Sequence, residues 1–138
     1  MKAYIGVKYH EDYRNKEIVD KISSTLEKTG YKTSCIVRDI ENSRQREYNP
    51  QELMELTFKE IDECNLVIID LTEKGVGLGI EAGYAFAKGI PVITIAKWGA
   101  DISETLVGIS KRVFFYDDTQ DIEGLFDYIW RYFNDNLD

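Results

Sequence analysis

Leu66-Val67-Ile68-Ile69-Asp70-Leu71, followed after a short polar turn by Gly75-Val76-Gly77-Leu78-Gly79-Ile80-Glu81-Ala82-Gly83-Tyr84-Ala85, decides the reading of the fold. The first run is apolar at almost every position, the pattern of a central parallel strand covered on both faces. The second changes to helical spacing, and Val92-Ile93-Thr94-Ile95 beyond it is again nearly continuous. Strand, helix and strand in that order make a βαβ unit. Outward from it the same alternation continues. Strands are expected at Lys2–Lys8, Tyr31–Val37, Leu66–Leu71, Pro91–Ala96 and Arg112–Tyr116, with helices at about Tyr13–Thr29, Pro50–Cys64, Leu78–Lys88, Ser103–Gly108 and Asp121–Asn134. Gly30 and Gly89 stand where left-handed helix stops belong, and Asn49-Pro50 offers a cap residue and a first-turn proline. Right-handed crossovers of this length imply an α/β fold: a flavodoxin-like, three-layer, doubly wound sheet of five parallel strands in the order 2-1-3-4-5.

At 138 residues, one domain over residues 1–138 is expected. The apolar share of 43% and charged share of 30% fit a folded soluble chain. No apolar run approaches the roughly eighteen residues of a bilayer span. The opening Met1-Lys2-Ala3-Tyr4 runs into a strand pattern, so no signal peptide and a cytoplasmic location are expected. A net charge of −8 with no Lys/Arg block argues against polymeric nucleic acid as a partner, though not against a small anion held by backbone N–H groups. Cys35 and Cys64 have no partners at metal-ligand spacing and read as buried thiols in a reducing compartment. No metal and no cofactor is implied.

In an open sheet of this order, ligands bind beyond the carboxyl ends of the strands, between the first and third. Lys8–Asp12, Asp70–Gly79 and the start of the third helix fall there, flanked by Arg38–Glu41 and Lys97–Ser103. Gly75, Gly77 and Gly79 permit close backbone approach to a ligand. No Gly-Lys-Ser/Thr follows, so they are not a Walker loop. Glu81 is expected in the first turn of the helix, where the plain reading is a carboxylate complementing the helix dipole, worth about 0.3–1 kcal/mol. The long polar connection from Arg38 to Asn49, with Asp39, Glu41, Arg44, Arg46 and Glu47, reads as a substrate loop or as a solvated surface loop.

Asp70 ends the third strand where a receiver domain keeps its phosphoacceptor, but Lys8-Tyr9-His10 replaces the acidic pair such a domain needs. No flavodoxin-type phosphate loop follows the first strand either. His10, the only histidine, reads as a site-edge or exposed residue. Trp98 lines either a base pocket or a subunit contact. Near the C-terminus Leu125, Phe126, Ile129 and Phe133 share a core-facing spacing.

Asp70-Leu71-Thr72, then Gly77-Leu78-Gly79-Ile80-Glu81-Ala82-Gly83-Tyr84-Ala85, then Gly89-Ile90-Pro91, resemble the nucleoside 2-deoxyribosyltransferase superfamily, and within it the 2'-deoxynucleoside 5'-phosphate N-hydrolases. The resemblance runs from about Tyr4 to Tyr132. It implies cleavage or transfer of the N-glycosidic bond of a nucleoside or its 5'-monophosphate, with Glu81 as nucleophile on C1'. By the same resemblance Tyr4 or Tyr9 stands near the nucleophile. Ser103 reaches a 5'-phosphate in the neighbouring subunit's site, which implies a homodimer or larger assembly. Gly6, Tyr9, Asp39, Gly75, Gly77, Gly79, Trp98 and Ser103 are the candidate substrate contacts, and Glu81, Asp70 and Tyr4 the candidate catalytic set.

The departures are specific. Thr57 occupies the position of the family's assisting Asp, leaving Asp70, Glu60 or Asp39 to replace it. Gly75, and Val7 or Lys8, stand where phosphate-binding serines belong. Two other readings follow: a nucleotide-binding or sensing domain without efficient turnover, and a TIR-like domain that cleaves NAD or serves assembly.

Overall fold

The computed structural model describes residues 1–41 and 47–135, with side chains through residue 132. Five strands alternate with five helices: β1 (Lys2–Gly6), α1 (Lys16–Glu27), β2 (Lys32–Ser34), α2 (Pro50–Asp62), β3 (Leu66–Asp70), α3 (Val76–Ala87), β4 (Val92–Lys97), α4 (Glu104–Ile109), β5 (Arg112–Tyr116) and α5 (Glu123–Asp135). All strand pairs are parallel and the order is β2-β1-β3-β4-β5, as the apolar runs predict.

The alternation of side chains along the strands divides the core in two. Ala3, Ile5, Val7, Ile68, Ile93 and Ile95 pack against α1 and α5 through Val19, Ile22, Leu125 and Ile129. Tyr4, Val67, Ile69 and Val92 pack on the opposite face against Ile61 of α2, Leu78 and Ala82 of α3 and Leu106 of α4. Thr94, fully buried in β4, meets this second layer by a 2.7 Å hydroxyl contact with Ser110. Among the described residues no helix is long and apolar enough to cross a membrane.

The expected punctuation holds. Gly30 and Gly89 take positive φ of 87° and 75°, and the Asn49 side chain accepts from the Glu52 N–H at 2.8 Å to cap α2. Several boundaries move. Tyr13, expected to open α1, takes φ 48° in a turn closed by its N–H to His10 O, so the helix begins at Lys16. A 3-10 turn, Thr119–Ile122, precedes α5. Helix α3 starts at Val76, earlier than its apolar spacing predicts, which takes Gly77 and Gly79 into the helix and puts Glu81 beyond the first turn.

The largest change is at β2, which ends at Ser34 rather than Val37 and gives way to a π-helical turn, Val37–Glu41. The β-branched residues favour a strand, but local polar groups outcompete the ladder. Asp39 accepts the Cys35 N–H on its carboxylate at 2.9 Å and returns its own N–H to Cys35 O at 2.7 Å. Arg38 holds the turn to the body of the protein through Ser23 Oγ, Thr33 Oγ1 and Thr33 O, each at 3.1 Å, and pairs with Asp39 at 2.6 Å. Arg44 and Arg46 of the long connection, and the Phe133 side chain, lie outside the described residues.

Replacing Asp39 by Ala orphans the N–H of fully buried Cys35. The expected loss is about 1–3 kcal/mol, read as a lower urea midpoint at unchanged slope.

Candidate active site

Glu81 projects from α3 toward the carboxyl end of β1. The hydroxyl of Tyr4, buried in β1, donates to Glu81 Oε1 at 2.7 Å. The other oxygen, Oε2, has no solvent contact and no hydrogen-bond partner among the described residues. It lies over Gly6: a Cβ built there would stand 2.8 Å from Oε2 and 2.7 Å from Ile69 Cδ1. Gly6 thus makes room for the carboxylate, a more specific task than the substrate contact its position predicts.

The electrostatics differ from the sequence expectation in one respect. A carboxylate in the first turn would be kept ionised by the helix N-terminus. Beyond that turn, burial prevails and pushes the Glu81 pKa up to about 7; the Tyr4 hydrogen bond opposes the rise and the charge of nearby Glu41 adds to it. Burial, and then the charge of Glu81, hold the Tyr4 hydroxyl well above the ordinary tyrosine value, so it remains a donor at neutral pH.

Asp70 is not brought to Glu81. It follows Ile69 in β3, so its side chain points to the α1 face, whereas Ile69, Tyr4 and Glu81 share the other. Both of its oxygens are engaged: Oδ1 accepts from Thr72 N and Oγ1 at 2.9 and 2.6 Å, and Oδ2 from the Tyr116 hydroxyl at 2.7 Å. With Lys8, Arg14, Lys97 and Tyr116 it lines a separate open cleft of about 290 Å³. The Asp39 carboxylate is engaged by the turn it builds, and Glu60 by Lys2 at 2.9 Å and Ser34 at 2.8 Å. Thr57 is 2% exposed and donates its hydroxyl to Leu53 O at 2.8 Å.

Other predicted contacts are scattered. Ser103, just ahead of α4, shares a shallow groove with Lys74, Gly75, Val76 and Gly79 at the start of α3. Gly77 opens on solvent and Tyr9 is exposed. Trp98 stacks on Phe115 of the edge strand β5 with ring centroids 4.6 Å apart, three strands along from β1. His10 joins the loop after β1 to the loop after β3 by a 3.0 Å contact with Glu73. Glu41, which the sequence places at the flank of the crevice, ends the turn after β2, and its charge acts on Glu81.

Comparison with known proteins finds the chain similar to nucleotide N-hydrolases, N-glycosidases and 2-deoxyribosyltransferases. A Thermofilum pendens protein provisionally named 2'-deoxynucleoside 5'-phosphate N-hydrolase 1 is 26% identical over 98 residues, which make up 70% of this chain and 68% of that protein. The structure of a CMP N-glycosidase from Clostridium botulinum superposes with a TM-score of 0.66 at 20% identity, covering 93% of this chain and 99% of that one. A 2-deoxyribosyltransferase from Bacillus psychrosaccharolyticus gives a TM-score of 0.69 at 15% identity over 89% and 90%. At these identities the two structures establish the fold. No protein-family model matches the chain.

Because the Glu81 pKa lies above its unfolded value, the group's stabilising contribution is complete below about pH 4.5 and is lost as pH rises through about 7. Glu81→Gln is therefore expected to match the wild type in melting temperature near pH 4 and to exceed it by several degrees at pH 8. The ceiling is on the order of 3 kcal/mol.

Proposed function

We propose that this protein breaks the N-glycosidic bond of a nucleoside or its 5'-monophosphate through Glu81, passing the sugar to water or to an acceptor base. The observation that carries this reading is the state of the Glu81 carboxylate: one oxygen held by Tyr4, the other without a hydrogen-bond partner among the described residues, and no basic residue paired with it. An ionised carboxylate so placed can attack C1' as the bond to the base lengthens, giving a glycosyl ester that water or a second base opens. Tyr4 orients the attacking group and steadies its negative charge in the free state. The names of the relatives, an N-hydrolase, an N-glycosidase and a deoxyribosyltransferase, support the same reaction class.

A 5'-phosphate would be received where Lys74 and Ser103 share their groove beside the start of α3. The same surface carries exposed Val76, Ile80 and Val107, and a homodimer formed across it would bring Ser103 toward the partner's site. A cytoplasmic, cofactor-free enzyme of nucleotide metabolism is the setting this reading implies.

Incubation with a panel of nucleosides and 5'-monophosphates, with and without free acceptor base, followed by chromatography of released base, tests the reaction. Glu81→Gln is expected to lower base release by about 1,000-fold or more while the protein stays folded. Base release by the variant at the wild-type rate would remove the mechanism. Thr57, whose hydroxyl is bonded within its own helix, favours a second reading, nucleotide sensing without turnover. A nucleotide that raises the melting temperature of the wild type yet is never cleaved would select it.

The nucleophile must be ionised, and its pKa is raised to about 7. The kcat/KM for base release is accordingly expected to climb about tenfold per pH unit below pH 7 and to level off above it. A profile flat from pH 5 to 8 would exclude Glu81 as the titrating group.

A further inference from the structure

The carboxyl ends of β1 and β3 mark the point where the strand order reverses, the place at which an open parallel sheet receives a ligand. Tyr4 and Glu81 occupy one face of the sheet there. On the α1 face, the cleft of about 290 Å³ stands at the same strand ends, and the proposed reaction makes no use of it. Its volume is at the small end of ligand pockets, enough for a compact metabolite and too little for a dinucleotide. Val7 and Ile18, both of the α1-side core, form its apolar wall.

The floor of the cleft is fixed. Asp70 accepts from the Tyr116 and Thr72 hydroxyls, and Thr72 Oγ1 accepts the Lys97 N–H at 3.1 Å, so the ends of β3, β4 and β5 are tied together. Asn15, at the start of α1, donates its side-chain amide to Lys8 O at 2.8 Å and fixes the chain as it leaves β1. The charges around this floor divide into those that are spent and those that are not. Each lining carboxylate has a partner: Asp70 the two hydroxyls, Glu73 the ring of His10 at 3.0 Å, Glu17 the Thr119 hydroxyl at 3.1 Å. Arg14 pairs with Asp12 at 3.1 Å on the exposed rim, where such a pair holds weakly. The ammonium groups of Lys8 and Lys97, one after β1 and one at the end of β4, flank β3 with neither a hydrogen bond nor an ion pair among the described residues. In a chain of net charge −8, the unspent charge of this cleft is positive.

We propose that the cleft is a second ligand site, selective for a phosphate group, free or carried as a monoester on a small metabolite, with Lys8 and Lys97 closing on it from either side of β3 and Arg14 turning in from the rim. Two ammonium groups match the charge of a phosphate dianion, whereas a single carboxylate would leave one of them unpaired. The wall of Val7 and Ile18 receives the carbon part of a monoester. This site lies across the sheet from Glu81 and apart from the groove of Lys74 and Ser103, so it stands or falls separately from the glycosidic reading.

NMR titration of the whole chain with inorganic phosphate, glycerol 3-phosphate, glycerol and acetate, at constant ionic strength, tests the assignment. Both phosphates are expected to shift the amide signals of Lys8, Thr72, Glu73 and Lys97 to saturation, and glycerol and acetate to leave them in place. Binding of glycerol 3-phosphate about threefold or more tighter than inorganic phosphate would assign a monoester as the ligand, and equal or weaker binding the free ion. Lys8→Met and Lys97→Met are each expected to weaken phosphate binding about tenfold. Lys32→Met removes the same charge at the amino end of β2 and should weaken it less than about twofold. Shifts confined to Lys74, Gly75 and Gly79, an equal response to acetate, no saturable shift, or equal losses in all three variants would overturn the assignment. An enzyme that releases base yet shows none of the expected shifts would keep the glycosidic reading and lose this one.

Discussion

The hydrogen bond from Tyr4 to Glu81 is the contact on which the site depends. A carboxylate taken out of water loses several kcal/mol of hydration unless donors replace it. Here a single phenol replaces part of it, at 2.7 Å, and a charge-assisted bond of this kind returns about 1.5–3 kcal/mol. The balance favours the neutral acid more than in water, and the pKa rises to about 7 as a result. The same imbalance makes the ionised form, when present, more basic and more reactive than an exposed glutamate. Gly6 permits the geometry, because any side chain there would meet Glu81 Oε2 at 2.8 Å.

The placement of Glu41 follows from how β2 ends. Had the β-branched run continued to Val37, residue 41 would have been carried past the carboxyl edge with the strand. Instead Asp39 folds the chain back on Cys35 and Arg38 bolts the turn to α1 and β2, which holds Glu41 where its charge acts on Glu81. Two carboxyl groups in one poorly solvated place do not ionise together without cost, and the charge of Glu41 adds to the rise that burial imposes on the Glu81 pKa.

The architecture was legible because parallel strands covered on both faces leave an unmistakable apolar record, and because Gly30, Gly89 and Asn49-Pro50 mark chain reversals with residues chosen by backbone chemistry. Strand order followed from crossover handedness. The prominence of Glu81 was legible too, but its electrostatic state was not. That state turns on where α3 starts, and Gly75-Val76-Gly77 has too little intrinsic preference to fix the start within a residue or two. The short β2 and the influence of the Glu41 charge on Glu81 were illegible for a related reason, since both arise from side chains bonding across a turn whose shape no periodicity encodes.

Asp70 shows how strand parity corrects an inference from position alone. It lies at the carboxyl edge of the third strand, the edge that Glu81 also approaches. One residue of alternation sends it to the opposite face, where it accepts from Tyr116 of β5 and from Thr72, whose hydroxyl oxygen in turn accepts the Lys97 N–H at the end of β4. The network joins three neighbouring strand ends and fixes the first residues of the loop that becomes α3. Since α3 carries Glu81, a shift of that loop would move the carboxylate away from Tyr4 and Gly6. The bonds of Asp70 to Tyr116 and Thr72 thus tie the strand end on the far face of the sheet to the loop from which α3, and with it Glu81, departs.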